Sequence, residues 1–278
     1  MHVVVAINPT SAFGRHGDVG REVVARLERA GHQVIALEEA TFAALEHAVE
    51  DAVERGIDAL VVVGGDGMVS LGVNAVAERR VPLGIVAAGT GNDMARGLGL
   101  VYSHPLAAVD ELISLMQREP REIDLARVTA ADGSTRWFGC VLSAGFDAIV
   151  NERANRMRWP KGPSRYILAL LLELSRLRTR SYQLEIDGHS RAVDAVLIAV
   201  GNNTSLGGGM QITPNARLDD GQLDLVMGAR MGRLKLLTLF PKVFSGAHIG
   251  HPLVTEIRGT HFRIDTPDVI AYADGERL

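Results

Sequence analysis

Apolar and polar positions follow one another in two different textures, and the change falls near residue 120. In the first part, short unbroken apolar runs alternate with stretches whose apolar residues recur every three to four positions. HVVVAIN (2–8), HQVIALEE (32–39), IDALVVVGG (57–65) and VPLGIVAAG (81–89) read as strands. Their near-continuous apolarity is that of a parallel sheet covered on both faces. Between them, Val23, Val24 and Leu27 share one side of a helix that Gly31 stops. Phe42, Leu45, Val49 and Val53 mark a second helix over 41–56, with Thr41 as its N-cap, and MVSLGVNAVAER (68–79) predicts a third.

After MQREPREIDL, where Pro120 ends a helix, the pattern becomes that of hairpins. EIDLARVTAADGSTRWFGCVLSAG (122–145) and SYQLEIDGHSRAVDAVLIAVGN (181–202) each read as two strands around an Asp-Gly turn, and HPLVTEIRGTHFRIDT (251–266) as a third pair. Helical stretches near 163–180 and 230–245 accompany them. The fold class expected is α/β plus β: a parallel-sheet α/β domain over 1–120 and an antiparallel β-sandwich domain over 121–278.

Composition narrows the chemistry. A net charge of −4 lacks the basic footprint of a nucleic-acid binder. Cys140 is the one cysteine, so there is no internal disulfide, and its apolar surroundings suit a buried thiol. The N-terminus has no basic lead and breaks at Pro9, unlike a signal peptide, and YILALLL is far too short to span a bilayer. A cytoplasmic protein is expected, with peripheral contact at the inner face of a membrane left open.

Three turns rich in Gly, Ser, Thr and Asn follow strands one, three and four: NPTSAFGRHG, GGDGM and AAGTGNDMARG. In open parallel sheets ligands bind beyond the carboxyl ends of the strands, and bare backbone N–H groups there suit a phosphate. Neither the dinucleotide nor the Walker fingerprint is present. Asp66 puts a carboxylate where such a turn recruits an anion. It serves either to hold a metal ion and assist phosphoryl transfer, or to cap the helix expected from Met68. Further along, Gly207-Gly208-Gly209 suggests close approach of another segment or a ligand, and Asp219-Asp220 reads as a turn that could also hold a hard cation.

Taken together, NPTS (8–11), GGDG (64–67), GTGND (89–93), SAGFDA (143–148), GGGMQITPNARLDDGQLDL (207–225) and DGE (274–276) resemble the diacylglycerol kinase catalytic-domain family of lipid kinases, which includes sphingosine kinases. The resemblance implies ATP and Mg²⁺ as cofactors, an NAD-kinase-like nucleotide domain followed by a lipid-substrate domain, and ATP in the cleft between them. It carries nucleotide binding onto Asn8, Ser11, Thr41, Gly64, Gly65, Asp66, Gly67, Gly89, Thr90 and Gly91. Catalysis is carried onto Asp66, Asp274 and Glu276, and a structural metal onto Asp220 with the carbonyls near Arg217 and Gln222. The implied reaction is phosphorylation of a free hydroxyl of diacylglycerol or a related lipid. NAD kinase and a weakly active nucleotide sensor of the same fold stand as alternatives, and a homodimer is left open. The family turn usually continues Thr-x-Asn-Glu where this chain has Met68-Val69-Ser70-Leu71, and Ala12 stands where glycine is common. Relatives usually continue beyond DGE with another strand. Residues 153–180 hold eight of the 29 Lys and Arg residues, and a helix there is expected to carry Arg165, Ala169, Glu173, Arg176 and Arg180 on one stripe, either as the solvated face of a core-packed helix or as a face that lies on an anionic membrane.

Overall fold

The computed structural model describes residues 1–8, 19–100, 102, 104–157, 159–160, 163–267 and 269–278. Ser11 and Ala12, singled out above, lie outside them, as do two of the basic residues counted over 153–180. The chain forms two compact units, Met1–Thr129 with Ser134–Trp137, and Ala130–Gly133 with Phe138–Leu278.

The first unit is built on four parallel strands, β1 (His2–Ile7), β2 (Gln33–Leu37), β3 (Ala59–Gly64) and β4 (Leu83–Ala87), in the order β2-β1-β3-β4. Helices α1 (Val19–Arg29), α2 (Phe42–Arg55), α3 (Asp66–Val76), α4 (Asp93–Gly97) and α5 (Pro105–Leu115) connect and follow them. On one face, Val23 and Leu27 of α1 and Val109 and Leu112 of α5 pack on the odd-numbered valines of β1 and β3. Leu45, Val49 and Val53 of α2 are buried and Thr41 caps that helix, as the periodicity predicts. Because β1 lies between β2 and β3, the chain order reverses there, and the carboxyl ends of β1 and β3 flank the point where open α/β sheets place ligands. A two-stranded ribbon, β5 (Ala126–Thr129) and β6 (Thr135–Phe138), closes around the Asp132-Gly133 turn.

The second unit is an eight-stranded antiparallel sheet. Its strands are β7 (Val141–Gly145), β8 (Arg180–Ile186), β9 (His189–Gly201), β10 (Leu223–Ala229), β11 (Val254–Gly259), β12 (Phe262–Asp265), β13 (Ala271–Ala273) and β14 (Glu276–Arg277). The long β9 gives its first half to β8 and its second half to β7 and β10, so the sheet branches there. Helices α6 (Phe146–Arg156), α7 (Pro163–Leu174) and α8 (Arg233–Val243) share a core of Phe146, Val150, Ala169, Leu170, Leu174 and Leu236.

Three expectations are corrected. The segment 251–266 is no hairpin: β11 pairs with β10 and β12 with β8, and the Asp187 carboxylate holds the Thr260 and His261 N–H groups between them. The apolar run around Cys140 is two strands, broken at Gly139-Cys140 by bonds to Asp274. The helix expected to 180 stops at Leu174, so Arg176 and Arg180 leave its stripe, and Ala169 and Glu173 are buried. Its outward residues are Ile167, Leu171 and Leu172, because Glu173 turns inward to pair with Arg153. Cys140 is a buried free thiol, as expected.

Candidate functional site

All four parallel strands end at one edge, and the candidate nucleotide residues sit there. Asn8 leaves β1, its N–H 3.4 Å from the Val63 carbonyl. Thr41, after β2, uses its hydroxyl to accept from Ala44 N–H at 3.2 Å. Gly64 ends β3, Gly65 is the N-cap of α3 without a side-chain cap, and Asp66 and Gly67 open the helix. Beyond β4 come Gly89, Thr90 and Gly91, the first two exposed.

The two glycine turns touch each other through bare backbone. A Cβ built on Gly89 would lie 2.3 Å from the Gly65 Cα, and one on Gly91 would lie 2.2 Å from the Asp66 carboxylate. No side chain fits at either place. Backbone N–H groups are thereby brought to one edge, an arrangement suited to phosphate oxygens. Gly89→Ala is expected to push the turns apart, with strain of about 1–3 kcal/mol and weakened ATP binding, measured by calorimetry beside a thermal melt.

Asp66 holds the pair together. Its Oδ1 accepts from Asp93 N–H at 2.7 Å and its Oδ2 from Asn92 N–H at 2.9 Å. It therefore does not cap α3, which it opens; it binds the first N–H groups of α4, 26 and 27 residues on. Burial, then the charge of Asp93, push its carboxyl above the usual carboxylate range, against the pull of the two N–H bonds. Asp93 is itself buried. Two neighbouring carboxylates under backbone N–H groups suit a divalent cation shared with phosphate oxygens.

Periodicity missed the rest of this turn. Asn92, at φ 55°, accepts from Gly89 N–H at 3.1 Å and donates to the Gly89 carbonyl at 2.9 Å, while Arg96 donates to the Gly91 carbonyl at 3.1 Å. A left-handed Asn after Thr-Gly was the available signal. Met68, Ser70 and Leu71, which replace the family's polar residues, are all buried.

In the second unit, Asp274 and Gly275 form the tight turn between β13 and β14, both at positive φ. The Asp274 carboxylate accepts from Gly139, Cys140 and Val141 N–H at 2.7, 2.9 and 3.0 Å. It ties the turn to the start of β7. Glu276, two residues on, is half-buried, and among the described residues its carboxylate has no hydrogen-bond or ion-pair partner. The two acids of DGE thus have different surroundings. Asp274→Ala is expected to destabilise the β unit by about 2 kcal/mol through the orphaned N–H groups, read as a lowered melting temperature. Glu276→Gln should leave stability unchanged.

Asp220 accepts from Gln222 N–H at 3.1 Å, and its other oxygen lies 3.6 Å from Arg258. That guanidinium also donates to the buried Asp224 at 3.2 Å and to the Asn215 carbonyl at 3.1 Å. Burial raises the Asp224 carboxyl, and Arg258 opposes the rise. The Arg217 side chain reaches Asp219 at 3.5 Å. A metal ion held by Asp220 with the Arg217 and Gln222 carbonyls would share its carboxylate with Arg258.

Residues 2–128 match the diacylglycerol kinase catalytic domain, and residues 140–278 match the YegS C-terminal NAD kinase beta sandwich-like domain. The chain is 42% identical over 275 residues to a diacylglycerol kinase of Mycobacterium tuberculosis, covering 99% of this chain and 88% of that one. It is 29% identical over 253 residues to a diacylglycerol kinase of Staphylococcus haemolyticus, covering 90% and 74%. The fold is also that of a crystal structure of a diacylglycerol kinase from Bacillus anthracis, with a TM-score of 0.68 at 21% identity, covering 100% of this chain and 90% of that one.

Proposed function

Because the chain belongs to the diacylglycerol kinase family, we propose that it transfers the terminal phosphoryl group of ATP, with Mg²⁺, to the free hydroxyl of a diacylglycerol-type lipid. The observation that carries this reading is the paired glycine turn with Asp66 tied across it. Bound Mg²⁺ would neutralise the charge developing on the phosphate oxygens. Asp66, beside Asp93, presents the carboxylates for that ion. The backbone of Gly64–Gly67 and Gly89–Gly91 receives phosphate oxygens, with Asn8, Ser11, Thr41 and Thr90 around the nucleotide. Glu276, whose carboxylate has no partner among the described residues, accepts the proton of the lipid hydroxyl, and Asp274 holds the turn that positions it.

The test is transfer of labelled phosphate from ATP to diacylglycerol, monoacylglycerol, ceramide and sphingosine in mixed micelles, with NAD as a soluble control. Label on diacylglycerol that depends on Mg²⁺ is expected. Label on NAD, or on nothing while ATP still binds, would sink the reading.

The lipid is reached at a membrane surface in this proposal. Among the described residues no helix is long and apolar enough to cross a membrane. However, α7 and α8 expose Ile167, Leu171, Leu172, Leu234 and Leu237, with Arg176, Arg233, Lys235 and Lys242 also exposed on and beside these helices. Apolar residues beside cations suit an anionic bilayer. Flotation should favour anionic over neutral vesicles, and equal binding to both would rule the surface out.

A further inference from the structure

The turn that carries Glu276 is held from a second side. Opposite residues of an antiparallel pair share a face of the sheet, and Tyr272 of β13 stands opposite Arg277 of β14. Both reach one carboxylate, that of Glu152 on α6. Its Oε2 accepts from the Tyr272 hydroxyl and lies 3.4 Å from Arg277 Nε, while its Oε1 accepts from Arg156, one turn further along α6. The Glu152 side chain is 13% exposed and Tyr272 is buried, so the bond between them is largely out of water. The Tyr272 hydroxyl, with Arg156 and Arg277, holds the Glu152 carboxyl below the usual range against its burial.

A strand as short as β14 needs such a tie. It is registered on β13 by two pairs, Tyr272 with Arg277 and Ala273 with Glu276. Successive residues of a strand point to opposite faces, so the face that Arg277 takes fixes the face left to Glu276. A slip of one residue would exchange them. With Arg277 drawn to Glu152, Glu276 is turned to the other face, that of the buried Ala273. Asp274 anchors the first residue of the turn to residues 139–141, and Glu152 anchors the strand that leaves it.

We propose that Glu152 is a positioning residue for phosphoryl transfer: through Tyr272 and Arg277 it fixes the register of β14 and so aims Glu276 at the hydroxyl that loses its proton. The proposal rests on the lipid-kinase reading and names what orients its proton acceptor.

Glu152→Gln keeps the size of the side chain and removes its charge. With its folding checked by a thermal melt, it is expected to lower kcat about tenfold or more, as a displaced general base does. KM for ATP should not change, because the groups assigned to the nucleotide belong to the first unit. Placed on Glu276→Gln, the same substitution should cost nothing further, since a base that is gone cannot be misaimed. Arg277→Lys, which keeps the ion pair, should retain most of the kcat that Arg277→Met loses. A fall in kcat as large on Glu276→Gln as on the parent would overturn the proposal and leave Glu152 a structural ion pair.

A second readout needs no transfer. Glu276→Cys puts a thiol on β14, read against the buried Cys140 of the parent, and Glu152→Gln should raise its rate of alkylation by iodoacetamide about tenfold. Equal rates with and without the Glu152 charge would also overturn the proposal. The two claims are thereby separated: a parent that transfers no phosphate sinks the lipid-kinase reading, while the rates still decide whether Glu152 sets the register of β14.

Discussion

Asp66→Ala is expected to lower phosphoryl transfer by about a thousandfold or more, the scale seen when a preorganised electrostatic group is removed from a phosphoryl-transfer or oxyanion site. Two losses combine. The carboxylate proposed to serve the metal ion and phosphates disappears, and the Asn92 and Asp93 N–H groups lose the acceptor that fixes the second glycine turn against the first. The second loss alone costs about 2 kcal/mol of local stability. Circular dichroism should still report a folded protein, because the sheet and its two covering layers do not depend on this contact. Asp66→Asn separates the effects, since its amide oxygen can keep one N–H bond while the charge is gone. Its kcat at saturating ATP and lipid should stay close to that of the alanine variant. Full activity in Asp66→Ala would reduce the residue to a tie between loops.

Asp66 also marks how far the sequence could be read. The glycine turns were legible because they follow buried apolar strands, and local chemistry dictates what such a turn can do. The local alternative, a cap on its own helix, failed because the partners of Asp66 lie in a turn that only strand order brings alongside. The same holds for DGE. Its hairpin is written in the Asp-Gly pair, but the three N–H groups that occupy Asp274 belong to residues 139–141, more than 130 positions earlier. Helices α1 and α2 were found because one face of each is apolar at helical spacing. Helix α7 was misread because its polar stripe is the buried one, where Glu173 pairs with Arg153 of α6. An ion pair across two helices leaves no trace in periodicity. Likewise β11 and β12 look like a hairpin locally, yet Asp187, at a turn more than 70 residues earlier, directs them to different partners.

The largest stability effect is expected at Asp147, and it is a gain. Burial pushes its carboxyl up to about 6, from an ordinary 3.8, with Ser143 and the α6 backbone only partly opposing the shift. In the folded chain the acid therefore holds its proton over a range where the unfolded chain has lost it. Below about pH 4 both states are protonated and the titration of the residue costs nothing. As pH rises toward 6 the folded state must either keep a proton or bury a charge, and stability falls by about 1.4 kcal/mol per pH unit. Above that value the penalty is complete, roughly 3 kcal/mol by the same linkage. Asp147→Leu removes the buried charge and fills the space with a side chain that suits Phe146, Val150 and Leu170 around it. The variant should be more stable than the parent by about that amount at pH 7, with the gain shrinking to nothing near pH 4. Denaturant unfolding of the two proteins across this range measures it. A gain independent of pH would mean that leucine acts by packing alone, and a loss at pH 7 would mean that the carboxylate is already satisfied in the folded chain.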